Sequence, residues 1–268
     1  MSDASHVTPN PWAQLRQLTQ ARIALGRAGV SVPTHPQLAF QLAHAQARDA
    51  VHTPLDAAAL AQSLQSRGYP ALLAHSACRD RGQYLQRPDL GRRLDQDSAL
   101  RLAAHAPSTA DLALVIGDGL SARAIELNAL PFLDALLARL QPDNWSLAPI
   151  VVACQARVAL GDEIGSLLRA SAVVVMIGER PGLSAPDSMG LYLSWAPRPG
   201  LHDAQRNCIS NVRPAGMGYQ EAAHTLHYLL TQARQRGLSG VALKDESCGE
   251  ATLAAPAHNF LLPGPGMG

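Results

Sequence analysis

The chain has 268 residues, 47% of them hydrophobic and 16% charged, which excludes a disordered chain and suits one large domain or two small ones. Its 22 Lys and Arg residues against 21 Asp and Glu residues leave a net charge of +1. That balance argues against a nucleic-acid binder working through a basic face and against a polybasic membrane anchor.

Residues 1–11 are polar and are expected to fray. They lack a charged region followed by an apolar one, so no secretory signal is expected. No stretch approaches the roughly 18 apolar residues of a membrane span. The expected compartment is the cytoplasm. Residues 12–106 are rich in Ala, Gln and Leu at helical spacing. Leu15, Leu18, Arg22 and Ile23 begin one amphipathic pattern, and Leu38, Leu42 and Ala45 begin another. Leu60 with Leu64, and Leu100 with Leu102 and Ala103, predict two shorter helices.

After Pro107 short apolar runs alternate with helical patterns. The runs are 112–116, 149–154, 172–177, 191–195 and a short fifth at 240–243. Continuous apolar runs fit parallel strands covered on both faces. Helices are predicted over 121–140, with Pro131 starting a second segment, over 162–170 and over 219–236. In the last, Ala222, Ala223, Leu226, Leu229, Leu230 and Ala233 form one apolar stripe. The expected fold is α/β, a Rossmann-like doubly wound, mostly parallel sheet over residues 107–245. A helical portion, 1–106, precedes it, and a flexible Gly/Pro-rich tail, 246–268, follows.

Chemistry in such sheets lies outside the carboxyl ends of the strands. The first run ends in Gly117-Asp118-Gly119-Leu120-Ser121-Ala122. This turn reads as a dinucleotide fingerprint, as a tight turn capped by Ser121, or as a cradle for another phosphate-bearing cofactor. The dinucleotide reading lacks its acidic companion, because the next strand ends in Cys154-Gln155. Asp162 and Glu163 fit the first turn of a helix, where the dipole favours carboxylates. Arg157 and Val158 sit just past a strand, where a ligand meets backbone groups. Glu179 follows the most apolar run and reads either as a surface ion pair or as an acceptor for a ligand. Cys208 lies outside any apolar run and reads as a small pocket-lining residue. Cys78, Cys154, Cys208 and Cys248 are far apart, so neither a zinc knuckle nor a disulfide framework is expected. His224 and His227 are spaced to share a metal but have no third ligand, so no metal site is assigned.

Seven strings, taken in order, resemble one family: 22–29 (RIALGRAG), 87–94 (RPDLGRRL), 118–122 (DGLSA), 157–165 (RVALGDEIG), 178–183 (GERPGL), 186–188 (PDS) and 206–211 (RNCISN). Together they resemble the small subunit of ethanolamine ammonia-lyase. The resemblance implies an adenosylcobalamin-dependent lyase converting ethanolamine to acetaldehyde and ammonia. It implies a large barrel subunit that holds the substrate and the radical chemistry, in a hexamer of large–small pairs. The family's cobalamin contacts carry over onto Val158, Glu179 and Cys208. No catalytic residue is expected on this chain. None of the ten histidines sits in a D-x-H-x-x-G string. The resemblance therefore implies that the cofactor keeps its own dimethylbenzimidazole on cobalt. Enclosure in a bacterial microcompartment stays open, because family members can carry a longer N-terminal extension.

Overall fold

Six strands form one mixed sheet in the order β1-β3-β2-β4-β5-β6. They are β1 (Ala71–His75), β2 (Ala110–Gly117), β3 (Ile150–Cys154), β4 (Ala170–Gly178), β5 (Met189–Trp195) and β6 (Arg206–Val212). The first four strands are mutually parallel. β5 runs antiparallel to β4, and β6 antiparallel to β5. The computed structural model describes residues 6–247. The expectations for residues 1–5, and for the tail from 248 onward, lie outside the described residues.

β2 and β4 are apolar on both faces because both faces are covered. On one side pack α2 (Ala57–Ser66), α5 (Ala122–Leu140) and α7 (Tyr219–Arg236). On the other pack α4 (Gln96–Ala104) and α6 (Leu160–Leu167). Alternate residues divide between the two layers: Leu112, Leu114 and Ile116 face α5, whereas Ala113 and Val115 face α6. Each such Leu or Ile contributes roughly 1.5–3 kcal/mol by leaving water. Helix starts are fixed locally. Asp56 and Asp95 cap α2 and α4, Ser121 caps α5, and Asp80 caps the short α3 (Arg81–Gln86). The whole apolar stripe of α7 is buried, and Gly237 ends that helix at φ +68°.

Several expectations are corrected. α5 runs unbroken through Pro131, because Phe132, Leu133 and Leu136 beyond it remain buried against the sheet. The fifth apolar run is a short 3-10 helix, Gly240–Ala242, with Val241 78% exposed. Two strands stood outside the expected set. β1 lies within the stretch read as helical, and β6 coincides with the polar RNCISN string. The pattern beginning at Leu15 is a seven-residue 3-10 helix, Pro11–Gln17, that buries no side chain. The longer α1 (Thr34–His52) buries only Ala43 and Ala50, leaving Leu38 and Leu42 exposed.

Candidate cofactor site

The connections after β2 and β3 leave for opposite faces, which creates the crevice where α/β sheets usually take a ligand. Here Asp118 fills it. Its two carboxylate oxygens accept the backbone N–H groups of Gln155 and Ala156, each at 2.9 Å. Arg81 Nη1 lies 3.5 Å away. Burial raises the Asp118 carboxyl, against the opposing pull of these donors. The adjoining turn is no phosphate cradle. Leu120 N–H donates to Gly178 O at 2.9 Å, and Ser121 Oγ accepts from Ala124 N. Gly119 has φ +56°, and a Cβ there would lie 2.2 Å from Gly178 O. The glycine serves contact with β4, and of the three readings the capped tight turn fits.

The open ground lies to one side. α6 covers β2 and β4 on its face but leaves that face of β6 bare at Cys208 and Ser210. A cleft of about 400 Å³ opens there, lined by Val158, Glu179, Tyr84, Arg157, Gly178 and Tyr192, among others. Val158 enters it from the loop after β3 and Glu179 from the end of β4. Cys208 is the register partner of Tyr192 across β5 and β6, and it is exposed on the bare face. Burial raises the Cys208 thiol, against a smaller opposing pull from Tyr192. The Tyr192 phenol is raised as well, mainly by burial. The three residues singled out from sequence thus lie on one side of one sheet edge.

Glu179 is held from three sides. The hydroxyls of Ser188 and Ser210 donate to its carboxylate, and Asn211 N–H donates at 3.2 Å. It closes the β4–β5 turn and tethers β6. A carboxylate accepts about four hydrogen bonds, so one position is left for a ligand. Arg180, weighed as its ion-pair partner, makes no salt bridge with it among the described residues.

The floor joins Arg157 to two residues the sequence did not single out, Tyr84 and Arg81. Tyr84 is buried between two guanidiniums, with Arg81 4.7 Å and Arg157 4.5 Å from its ring centroid. Its hydroxyl donates to Ala156 O at 3.0 Å, and burial pushes the phenol up to about 12. Arg81 also donates to Val51 O and Gly119 O, joining α1 to the turn after β2. Arg81 Nη2 and Arg157 Nε are buried without a partner among the described residues. Tyr192 had a signal: Tyr192 and Ser194 share one face of a strand whose other face is Leu191 and Leu193. Tyr84 had none, because Arg157 and Ala156, which fix its ring and hydroxyl, lie more than 70 residues onward.

The helix-start carboxylates stand in the first turn of α6 as expected, and each also has a partner outside it. Asp162 is buried and meets Arg206 Nη1 at 2.6 Å, and Glu163 accepts Leu94 N–H at 2.9 Å. His227 Nε2 lies 2.6 Å from Asp143 Oδ2, and no group of three metal-ligating side chains occurs among the described residues. Nor, among those residues, is any helix long and apolar enough to cross a membrane.

A cleft with one spare acceptor position and a bare sheet face beside it suits a large, amide-bearing ligand. Residues 9–244 match the family model described as ethanolamine ammonia-lyase light chain (EutC). The chain is 61% identical over 251 residues to the ethanolamine ammonia-lyase small subunit of Azotobacter vinelandii, covering 92% of this chain and 93% of that one. It is 59% identical over 259 residues to the small subunit of Ralstonia nicotianae, covering 96% of each. It is 58% identical over 267 residues to that of Pseudomonas aeruginosa (strain LESB58), covering 98% and 97%. With the family model matched over residues 9–244 and relatives of 58–61% identity along nearly the whole chain, the chain belongs to the ethanolamine ammonia-lyase light-chain family.

Proposed function

We propose that this chain forms one wall of a corrinoid chamber whose other wall is the large subunit. The chain is a subunit of a carbon–nitrogen lyase that depends on adenosylcobalamin. The observation that carries the proposal is the gathering of Val158, Glu179 and the Tyr192–Cys208 pair around one cleft beside a bare sheet face.

Adenosylcobalamin supplies the radical chemistry when bound, through its cobalt–carbon bond. This chain's residues bind, orient and exclude water. Val158 offers apolar contact. Glu179 uses its remaining acceptor position for an amide N–H of a cofactor arm. Tyr192 and Cys208 cover the sheet face with small and planar surfaces that displace water. Arg81 and Arg157, stacked on Tyr84, hold the loop that carries Val158. No acid, base or nucleophile of this chain takes part, and the hydrogen abstraction that turns ethanolamine into acetaldehyde and ammonia belongs to the large subunit.

Exposed Trp12, Leu18, Leu38 and Leu42 support an interface with that subunit along the N-terminal segment and α1. The assembly we propose is a hexamer of large–small pairs in the cytoplasm. The test is absorbance of bound corrinoid on each chain alone and on the reconstituted complex, with an acetaldehyde assay. The proposal requires tight binding and turnover only with both chains present. Turnover by the small chain alone refutes it.

A further inference from the structure

We infer that Arg92 and Arg93 hold the phosphate of the cofactor's nucleotide tail, in a second cleft continuous with the first. The inference rests on the corrinoid reading above and deepens it.

The second cleft has a volume of about 640 Å³ and shares Arg157, Val158 and Tyr192 with the first. Arg92 and Arg93 line it. Both are exposed, and neither guanidinium has a partner among the described residues. Three carboxylates also line this cleft, and each is engaged. Asp89 is held by Arg87 at 2.9 and 2.7 Å, Glu163 accepts Leu94 N–H at 2.9 Å, and Asp203 lies 3.3 Å from Arg206 Nε. The arginines' own turn is pinned. Arg157 N–H donates to Gly91 O at 2.8 Å, and the Leu94–Glu163 bond holds the other side. A Cβ at Gly91 would lie 2.8 Å from the Arg157 side chain, so the turn is pressed onto the floor of the first cleft. Two unneutralised guanidiniums are therefore held beside Val158 by backbone contacts.

The chemistry of the ligand selects what they meet. The amide arms of a cobalamin are neutral. Its nucleotide tail carries a phosphodiester, and arginine is the side chain best matched to phosphate oxygens. With the corrin against Val158, Glu179 and Cys208, the shared residues Val158 and Tyr192 lead its tail toward Arg92 and Arg93.

The test uses the reconstituted complex of both subunits. Cyanocobalamin and dicyanocobinamide, which lacks the ribose, phosphate and base, are titrated by equilibrium dialysis. The Arg92→Gln/Arg93→Gln variant is expected to bind cyanocobalamin on the order of tenfold more weakly. Its affinity for dicyanocobinamide should match wild type, and its cyanocobalamin binding should lose salt dependence. Equal weakening of both corrinoids, or of neither, overturns the phosphate assignment. So does a variant complex that dissociates on gel filtration, which would give these arginines to the subunit interface. Glu179→Ala separates this inference from the reading beneath it. It should weaken both corrinoids alike, and if it weakens neither, the corrin wall is wrong whatever the arginine result.

Discussion

Arg206 Nη1 lies 2.6 Å from Asp162 Oδ1, and both side chains are 2% exposed. The pair joins the start of β6 to the first turn of α6, so it sets the distance between the strand carrying Cys208 and the loop carrying Val158. Arg206 also bonds Ser194 Oγ at 3.0 Å and Leu201 O at 2.9 Å, so its charge is well satisfied. Removing Asp162 leaves the buried guanidinium with only the exposed Asp203, 3.3 Å from its Nε, as a carboxylate partner. Asp162→Ala is expected to cost about 3–5 kcal/mol in urea unfolding, and an Asp162→Leu/Arg206→Met double variant should recover much of that. Corrinoid affinity should fall in both, because neither fixes the two walls. A single variant that unfolds like wild type would show that the pair bears no load.

The pair also shows where sequence reading stops. β2, β3 and β4 were legible because both faces of each are covered and the runs are almost wholly apolar, and β5 because Leu191 and Leu193 alternate with Tyr192 and Ser194. β6 was not, since one of its faces is bare, its residues are mostly polar and its burial follows no two-residue alternation. β1 is a short edge strand in an Ala-rich stretch whose composition reads as helix. Asp162 was read as a helix-dipole carboxylate because its partner lies 44 residues onward. Val158 and Glu179 were reachable because each follows an apolar strand run, whereas Cys208, inside β6, was reached through the RNCISN string and the family resemblance. The Arg81–Tyr84–Arg157 stack was not, being completed only when α3 meets the loop after β3.

Glu179 is expected to serve both the fold and the ligand, and two variants separate these roles. Glu179→Ala removes the acceptor for Ser188, Ser210 and Asn211 together with the ligand's position. Corrinoid binding should weaken by about 1–3 kcal/mol, with lower thermal stability. Glu179→Gln keeps an oxygen and the shape, and the serine hydroxyls can rotate to accept from its amide. It should retain most of the stability while losing part of the affinity. If both variants lose stability and neither loses affinity in the reconstituted complex, Glu179 is structural alone.

Gly119 tests the turn after β2. Its φ of +56° disfavours any side chain, and a Cβ would meet Gly178 O at 2.2 Å. Gly119→Ala should destabilise the chain by on the order of 3 kcal/mol, read from chemical denaturation. Because Asp118 and Gly178 occupy the place of a pyrophosphate, neither NAD nor NADP should raise the melting temperature of the wild-type chain. A dose-dependent rise would reopen the dinucleotide reading.

Cys208 gives a chemical readout of the chamber wall. Of the three described cysteines it alone is exposed, whereas burial lifts Cys154 to about 11 and Cys78 is buried. Burial also raises Cys208, so near neutral pH it holds less thiolate than a free cysteine with its pKa of about 8.5. The thiolate is the nucleophile, so a raised pKa slows alkylation at neutral pH and moves its rise to more alkaline pH. In the apo complex, iodoacetamide should label Cys208 before Cys78 and Cys154, more slowly than a free thiol, and faster as pH climbs above about 8.5. Saturating cobalamin should then suppress labelling of Cys208 and leave the other two unchanged. Peptide mapping by mass spectrometry measures all three together, and labelling of Cys208 that ignores the corrinoid would remove the bare face of β6 from the chamber.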